Sequence, residues 1–235
     1  MTKELSTTLE VVGEIARFHV ETSNPTYRDL LVHMGFSRSG GTDYARDFPA
    51  TADIARIHEN FARHLEEILQ QGAGLRPIPW DCALGEFLRR MELSGVGWWL
   101  SGSAALAVRG IDVAPGDLDF VVSDARGVGE IFSDLLMYPV TKMEGWAAEW
   151  FGCAFHEALI EWVAVVHPEA VYGPGPHEQG PEAASRLQTV DWEGHLIRVP
   201  PLDLQLAVAE RRSQHERAAK IRTALSDRHS RNQPG

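Results

Sequence analysis

The middle of this sequence constrains the fold most, because two apolar segments there flank a glycine turn and a pair of carboxylates. Residues 98–101 (WWLS) favour a buried strand, and Gly102-Ser103 follows as a turn into a short helix. Residues 116–122 (GDLDFVV) favour a second strand that opens on Asp117 and Asp119. Because successive side chains of a strand point to opposite faces, these two carboxylates share one face.

This arrangement predicts a metal site beside a phosphate site. Two carboxylates held side by side repel each other, and a divalent cation relieves that repulsion. A set of oxygen ligands suits Mg²⁺ or Mn²⁺. Gly102 and Ser103 offer backbone N–H groups and a hydroxyl at the start of a helix, which suits a phosphate.

The order of these features resembles the nucleotidyltransferase superfamily, whose fold is polymerase-β-like. The resemblance rests on Gly102-Ser103, the spacer 104–116 and Asp117-Leu118-Asp119, and it covers Asp81 to Lys220. It implies a mixed β-sheet flanked by helices, a nucleoside triphosphate substrate (ATP is expected) and a third acidic residue on a later strand.

One position departs from the family pattern. Relatives carry an arginine or threonine shortly before the first aspartate, whereas this chain has Ala114-Pro115-Gly116. Arg109 is an alternative cation for the nucleotide, and a surface arginine is the other interpretation.

The third acid is expected on a later apolar segment. Residues 158–166 are apolar apart from Glu161, as in a strand that is covered on both faces. A buried carboxylate is costly unless something compensates it, and a metal shared with Asp117 and Asp119 would do so. Glu157 is the rival candidate, since the longer segment 146–166 can break near residues 156–158 into two strands.

The chain as a whole predicts an α+β fold in three parts. These are a helical N-terminal region (1–75), a nucleotidyltransferase-like core (76–200), and a C-terminal helix with a frayed tail (201–235). Periodicity and turn residues predict helices over 5–21, 27–34, 52–71, 80–93, 125–136 and 202–225, a loop over 37–42 and a hairpin over 189–199.

Composition limits the functional classes. The net charge of −11 argues against a protein that coats nucleic acid, and non-specific DNA binding is not expected. No apolar segment reaches membrane-spanning length, no signal peptide is recognisable, and the two cysteines have no metal spacing, so a cytoplasmic location is expected.

These observations predict an enzyme that moves a nucleoside monophosphate from a triphosphate to an acceptor hydroxyl and releases pyrophosphate. Asp117, Asp119 and Glu161 are the predicted catalytic and metal-binding residues, and Gly102 and Ser103 are the predicted nucleotide-binding residues. The acceptor stays open between a small molecule, a protein and RNA, and so does the oligomeric state. The alternatives are a catalytically silent binding protein, such as half of a toxin–antitoxin pair, and a DNA-binding regulator that uses the N-terminal helices.

Overall fold

The structure, a computed structural model, describes residues 5–231, with side chains described up to residue 227. It confirms the predicted α+β fold. The elements of the N-terminal part are β1 (Leu5–Val12), β2 (Ile15–Thr22), α1 (Pro25–His33), β3 (Ser37–Gly40), β4 (Asp43–Pro49) and α2 (Ile54–Gly72). The chain continues through α3 (Trp80–Met91), β5 (Trp98–Ser101), α4 (Ala104–Ala107), β6 (Leu118–Val122), α5 (Ala125–Ile131), β7 (Leu136–Lys142), β8 (Ala148–His156), β9 (Ala158–Val166), α6 (Glu169–Tyr172), α7 (Pro181–Ser185), β10 (Gln188–Trp192), β11 (His195–Val199), α8 (Leu202–Arg211) and α9 (His215–Arg231).

The described chain divides into two compact units. The first contains residues 5–94, 126–141 and 152–160, and the second contains residues 95–125, 142–151 and 161–231. The strands form sheets in the orders β1-β2-β4-β3, β5-β6-β9-β8-β7 and β10-β11. The domain boundaries expected from the sequence stay a prediction.

The predicted helix over residues 5–21 is wrong, because this segment forms the antiparallel hairpin β1–β2. Its turn contains Gly13, whose φ of +60° is a left-handed conformation that glycine adopts without strain. The buried residues Ala16, Phe18 and Val20 alternate with less buried ones, which is the period of a strand. The apolar residues of this segment therefore also fit a period of two, besides the spacing that suggested a helix.

The predicted loop over residues 37–42 is also wrong in part. Residues Ser37–Gly40 form the edge strand β3, which pairs with β4 through a register irregularity between Arg38 and Gly40. The N-terminal region is therefore a sheet with helices rather than a helical bundle. The helices expected over 27–34 and 52–71 are confirmed as α1 and α2.

Several expectations for the rest of the chain are confirmed. The helix over 80–93 is α3, the hairpin over 189–199 is β10–β11, and the apolar segment breaks at Glu157 into β8 and β9. The helix expected over 125–136 ends earlier, at Ile131, because the buried residues from Leu136 onward form β7.

The predicted C-terminal helix over 202–225 is two helices, α8 and α9. The break lies at Ser213, whose φ of +56° is left-handed and cannot continue a right-handed helix. The amide of Gln214 donates to the carbonyl of Ala209 across the break. The apolar residues Leu106, Leu202, Ala209, Ala218 and Ile221 pack together in the second unit, so the two helices share one buried cluster.

The antiparallel pairing of β5 and β6 positions the carboxylates. Ser101 lies opposite Asp119, and Trp99 lies opposite Val121. Among the described residues, no helix combines the length and the apolar character that crossing a bilayer requires.

Candidate active site

Three carboxylates converge in the second unit. Asp117 immediately precedes β6, Asp119 lies on β6, and Glu161 lies on the neighbouring strand β9. One oxygen atom of each carboxylate lies within 4.8 Å of the others. The structure therefore brings Glu161 to the aspartates, whereas Glu157 lies at the turn between β8 and β9 and is not part of this cluster.

The cluster carries negative charge that the protein only partly offsets. Burial raises the pKa of Asp119 well above its usual range, and the charges of Asp117, Glu161 and Glu178 raise it further, while Arg212 lowers it. Burial also raises the pKa of Asp117, and the nearby Arg217 lowers it. Buried like charges at this separation favour a bound cation, and a set of carboxylate oxygens is what Mg²⁺ or Mn²⁺ prefers.

The Gly102-Ser103 turn lies directly against this cluster. Gly102 has a left-handed φ of +65°, and a Cβ atom there would lie 2.1 Å from Oδ2 of Asp119. Only glycine fits this position, because any side chain would displace the carboxylate. Ser103 follows at the start of α4, where its carbonyl accepts hydrogen bonds from the amides of Leu106 and Ala107.

The acidic cavity, as we name it, encloses the cluster and has a volume of about 340 Å³. Gly102 and Ser103 form part of its wall, and the aromatic residues Trp146 and Tyr172 also line it. The structure thus brings all five sequence-predicted site residues around one cavity. Arg109 is not among the residues that line it; its guanidinium donates to the carbonyl of Pro200 at 2.7 Å.

The break between α8 and α9 brings two arginines to this cavity. Arg212 and Arg217 both line it. In one continuous helix, residues five positions apart point about 140° away from each other, so they could not share a small cavity. The left-handed turn at Ser213 therefore has a direct consequence for the charge of the site.

A second cavity adjoins the acidic one at its basic end. It has a volume of about 400 Å³ and contains Lys220, and we name it the Lys220 cavity. Ser103 and Arg217 line both cavities. The ammonium group of Lys220 forms an ion pair with Glu216 at 3.0 Å.

Two buried polar residues of the site were not predicted from the sequence. The Nε2 group of Gln205 donates to the carbonyl of Gly102 at 3.0 Å and to Glu178 at 3.2 Å. Gln205 is 1% exposed, and Glu178, which lines the acidic cavity, is 6% exposed. The sequence does indicate Gln205, since it is a polar residue on the apolar face of α8 between Leu202 and Ala209. No sequence pattern indicates Glu178, because it lies in a glycine- and proline-rich loop.

That loop is held in place by a second set of contacts. Arg211 donates to the carbonyl of Pro176 at 2.9 Å and to Nδ1 of His177 at 3.1 Å. Nε2 of His177 lies 3.1 Å from the carbonyl of Gly173, so the Nε2–H tautomer satisfies both contacts of the ring. Glu178 is therefore presented to the acidic cavity by an ordered segment.

Comparison with known proteins finds weak structural likenesses. No protein-family model matches the chain, and no curated protein does. A Thermotoga maritima protein provisionally assigned as a nucleotidyltransferase is 19% identical, with a TM-score of 0.46 over 62% of this chain and 91% of that one. ANT(2″)-Ia in complex with adenylyl-2″-tobramycin is 14% identical, with a TM-score of 0.38 over 61% of this chain and 87% of that one. The solution structure of ANT(2″)-Ia, an antibiotic-resistance factor, is 15% identical, with a TM-score of 0.35 over 63% of this chain and 91% of that one.

Proposed function

We propose that this protein is a Mg²⁺-dependent nucleotidyltransferase. It transfers a nucleoside monophosphate from a triphosphate, with ATP as the expected donor, to an acceptor hydroxyl. The observation that carries this proposal is the convergence of Asp117, Asp119 and Glu161 within 4.8 Å, in a cavity walled by the Gly102-Ser103 turn.

The three carboxylates fit the metal that such a reaction uses. Asp117, Asp119 and Glu161 would hold Mg²⁺, and their mutual repulsion, which adds to the effect of burial in raising the pKa of Asp119, is what a cation would relieve. When bound, such ions stabilise negative charge on the attacking and leaving oxygens of an in-line displacement. Asp119 lies on β6, Asp117 immediately precedes it and Glu161 lies on the neighbouring β9, so the two adjacent strands hold the three carboxylates together.

The triphosphate is expected to lie along the Gly102-Ser103 turn. The α-phosphate then faces the carboxylate cluster, and the β- and γ-phosphates extend past Ser103 and Arg217 toward the Lys220 cavity. The side chains of Arg217 and Lys220 supply positive charge at that end. Gly102 is essential in this scheme, because its missing Cβ leaves room for the Asp119 carboxylate.

The reaction is a single displacement at the α-phosphorus. The acceptor oxygen forms a bond to phosphorus, the bond from phosphorus to the bridging oxygen of the β-phosphate breaks, and pyrophosphate leaves. The proton of the hydroxyl passes to solvent. Arg217 offsets the charge that develops on the pyrophosphate as it leaves.

The proposal is tested with ATP labelled at its α-phosphate. We expect label to pass to an acceptor from a set containing aminoglycosides, tRNA and cell lysate, in Mg²⁺ but not in excess EDTA. Asp119→Asn should abolish both transfer and Mg²⁺-dependent ATP binding. Asp29→Asn is the matched control, since Asp29 is exposed on α1.

Two results would contradict the proposal in different ways. If Asp119→Asn transfers label at the parental rate, the carboxylates are not catalytic. If the parent binds ATP with Mg²⁺ yet never transfers it to any acceptor, the silent binding protein becomes the better description.

A further inference from the structure

A third cavity lies in the second unit, and neither the metal site nor the triphosphate occupies it. We name it the tryptophan cavity; its volume is about 360 Å³. Apolar groups, including Trp98, Trp99, Val121 and Val165, form most of its wall. This volume lies within the range of about 300–1,000 Å³ that is typical of small-molecule sites.

The strands place this cavity at a defined position relative to the carboxylates. Trp99 pairs with Val121, and Ser101 pairs with Asp119. The two pairs are two residues apart, which corresponds to about 7 Å along the strands. Ser103 lies beyond β5, past the Gly102 turn at the start of α4, and lines the Lys220 cavity. In chain order, residues 98–99 line the tryptophan cavity, Ser101 lies opposite Asp119 of the cluster, and Ser103 lines the Lys220 cavity.

The tryptophan cavity and the acidic cavity share a wall residue. Gln179 lines both of them. The two cavities therefore adjoin at Gln179.

The stereochemistry of the reaction assigns an occupant to this cavity. In an in-line displacement, the attacking oxygen enters opposite the leaving group. If pyrophosphate leaves past Ser103 and Arg217, the acceptor enters from the tryptophan side. Resting on the proposed function above, we infer that the tryptophan cavity binds the acceptor, and that this acceptor carries an apolar, ring-bearing body beside its hydroxyl.

The wall of the cavity supports this chemical class over a cationic one. Trp99, on the same face of β5 as Ser101, provides a flat apolar surface on which a ring can pack. Arg198, whose guanidinium donates to the carbonyl of Trp98 at 2.5 Å, adds a positive charge that disfavours a polycationic acceptor.

One wall residue also has a strained backbone. Val165 has a φ of +55°, a rare conformation for a β-branched residue, and the residue is 47% exposed. Strain of this kind concentrates at ligand-binding sites. A ligand in the tryptophan cavity would cover this exposed valine.

The test uses naphthol, a ring-bearing alcohol, as the probe. Its binding is measured by equilibrium dialysis in Mg²⁺ and an ATP analogue with a methylene bridge between the α- and β-phosphates. Ala184→Phe fills the cavity from an exposed position on α7, and Ala219→Phe, exposed on α9 away from all three cavities, is its control. We expect Ala184→Phe to weaken naphthol binding by about tenfold or more, a change of about 1.4 kcal/mol, while Ala219→Phe does not.

Each other result overturns the inference. Equal naphthol binding by the two variants, or no binding by the parent, shows that the cavity does not select apolar rings. If Ala184→Phe weakens ATP binding without naphthol present, the cavity holds the nucleobase instead. Mg²⁺-dependent ATP binding that survives Asp119→Asn would refute the proposed function separately.

Discussion

Replacing Gly102 by alanine tests the contact on which the site depends. The new Cβ atom would lie 2.1 Å from Oδ2, 3.1 Å from Cγ and 3.3 Å from Cβ of Asp119. Non-bonded carbon atoms normally approach to about 3.5 Å, so the overlap with the carboxylate is severe. Rotating the Asp119 side chain removes the overlap at Oδ2, but it also moves the carboxylate relative to Asp117 and Glu161.

The matched control is Gly110→Ala. Gly110 has a similar left-handed φ of +77°, but a Cβ atom there would contact nothing within 4 Å. Alanine in a left-handed conformation costs about 1–2 kcal/mol, and this is the whole loss expected at Gly110. At Gly102 the overlap adds about 1–3 kcal/mol, for a total of about 2–5 kcal/mol.

Two measurements separate the contributions to this loss. Urea denaturation of both variants gives the free energy of unfolding, and the difference between them is the contribution of the Asp119 contact. Mg²⁺-dependent ATP binding should be lost in Gly102→Ala and kept in Gly110→Ala. Equal stability and full ATP binding in both variants would refute the placement of the turn against the carboxylate.

Three further substitutions test the electrostatics and the support of the site. Asp119→Asn should raise the melting temperature of the metal-free protein at neutral pH. An acid whose pKa is raised by folding stabilises the fold below its unfolded pKa of about 4, and that stability is lost as the pH rises through the raised pKa of the folded state. Mg²⁺ should then stabilise only the parent, and a metal-free variant that melts no higher than the parent would contradict this account. Glu86→Gln should cost about 1–3 kcal/mol at pH 7, since hydrogen bonds from Arg89 and Arg90 lower the pKa of Glu86 to about 2; the difference should vanish as acid titration approaches that value. Gln205→Leu should cost about 1–3 kcal/mol and weaken ATP binding, because it removes the donor to Gly102 and Glu178, whereas a leucine at an exposed glutamine such as Gln188 should do neither.

Local sequence rules placed the two aspartates of the carboxylate cluster and reduced the third acid to two candidates. Asp117 and Asp119 were placed on one face by strand alternation alone, and the structure agrees. Glu161 was found because a charge inside an apolar strand needs compensation, which is an energetic argument that requires no coordinates. The break at Glu157 left one other candidate, and only the packing of β9 beside β6 resolved that choice.

The same rules failed over residues 5–22 for a physical reason. Phe18 is fully buried on β2, which pairs with β1 in the same segment and also with β4 at residues 43–49, so part of the stabilising contacts are not local. Apolar residues spaced by two and by four satisfy a strand, while steps of three and four also satisfy a helix. Where both periods fit, tertiary pairing rather than propensity decides the structure.

The charge balance of the site depends on the break between α8 and α9, which the periodicity of the sequence did not predict. Residues 202–225 carry neither proline nor glycine, so a single helix was the natural expectation. Yet one left-handed residue, Ser213, lets Arg217 act on Asp117 and Arg212 act on Asp119 within one carboxylate cluster. The break places two cations beside half-buried acids that would otherwise repel one another with less compensation. The break between α8 and α9 therefore contributes directly to the electrostatics of the site.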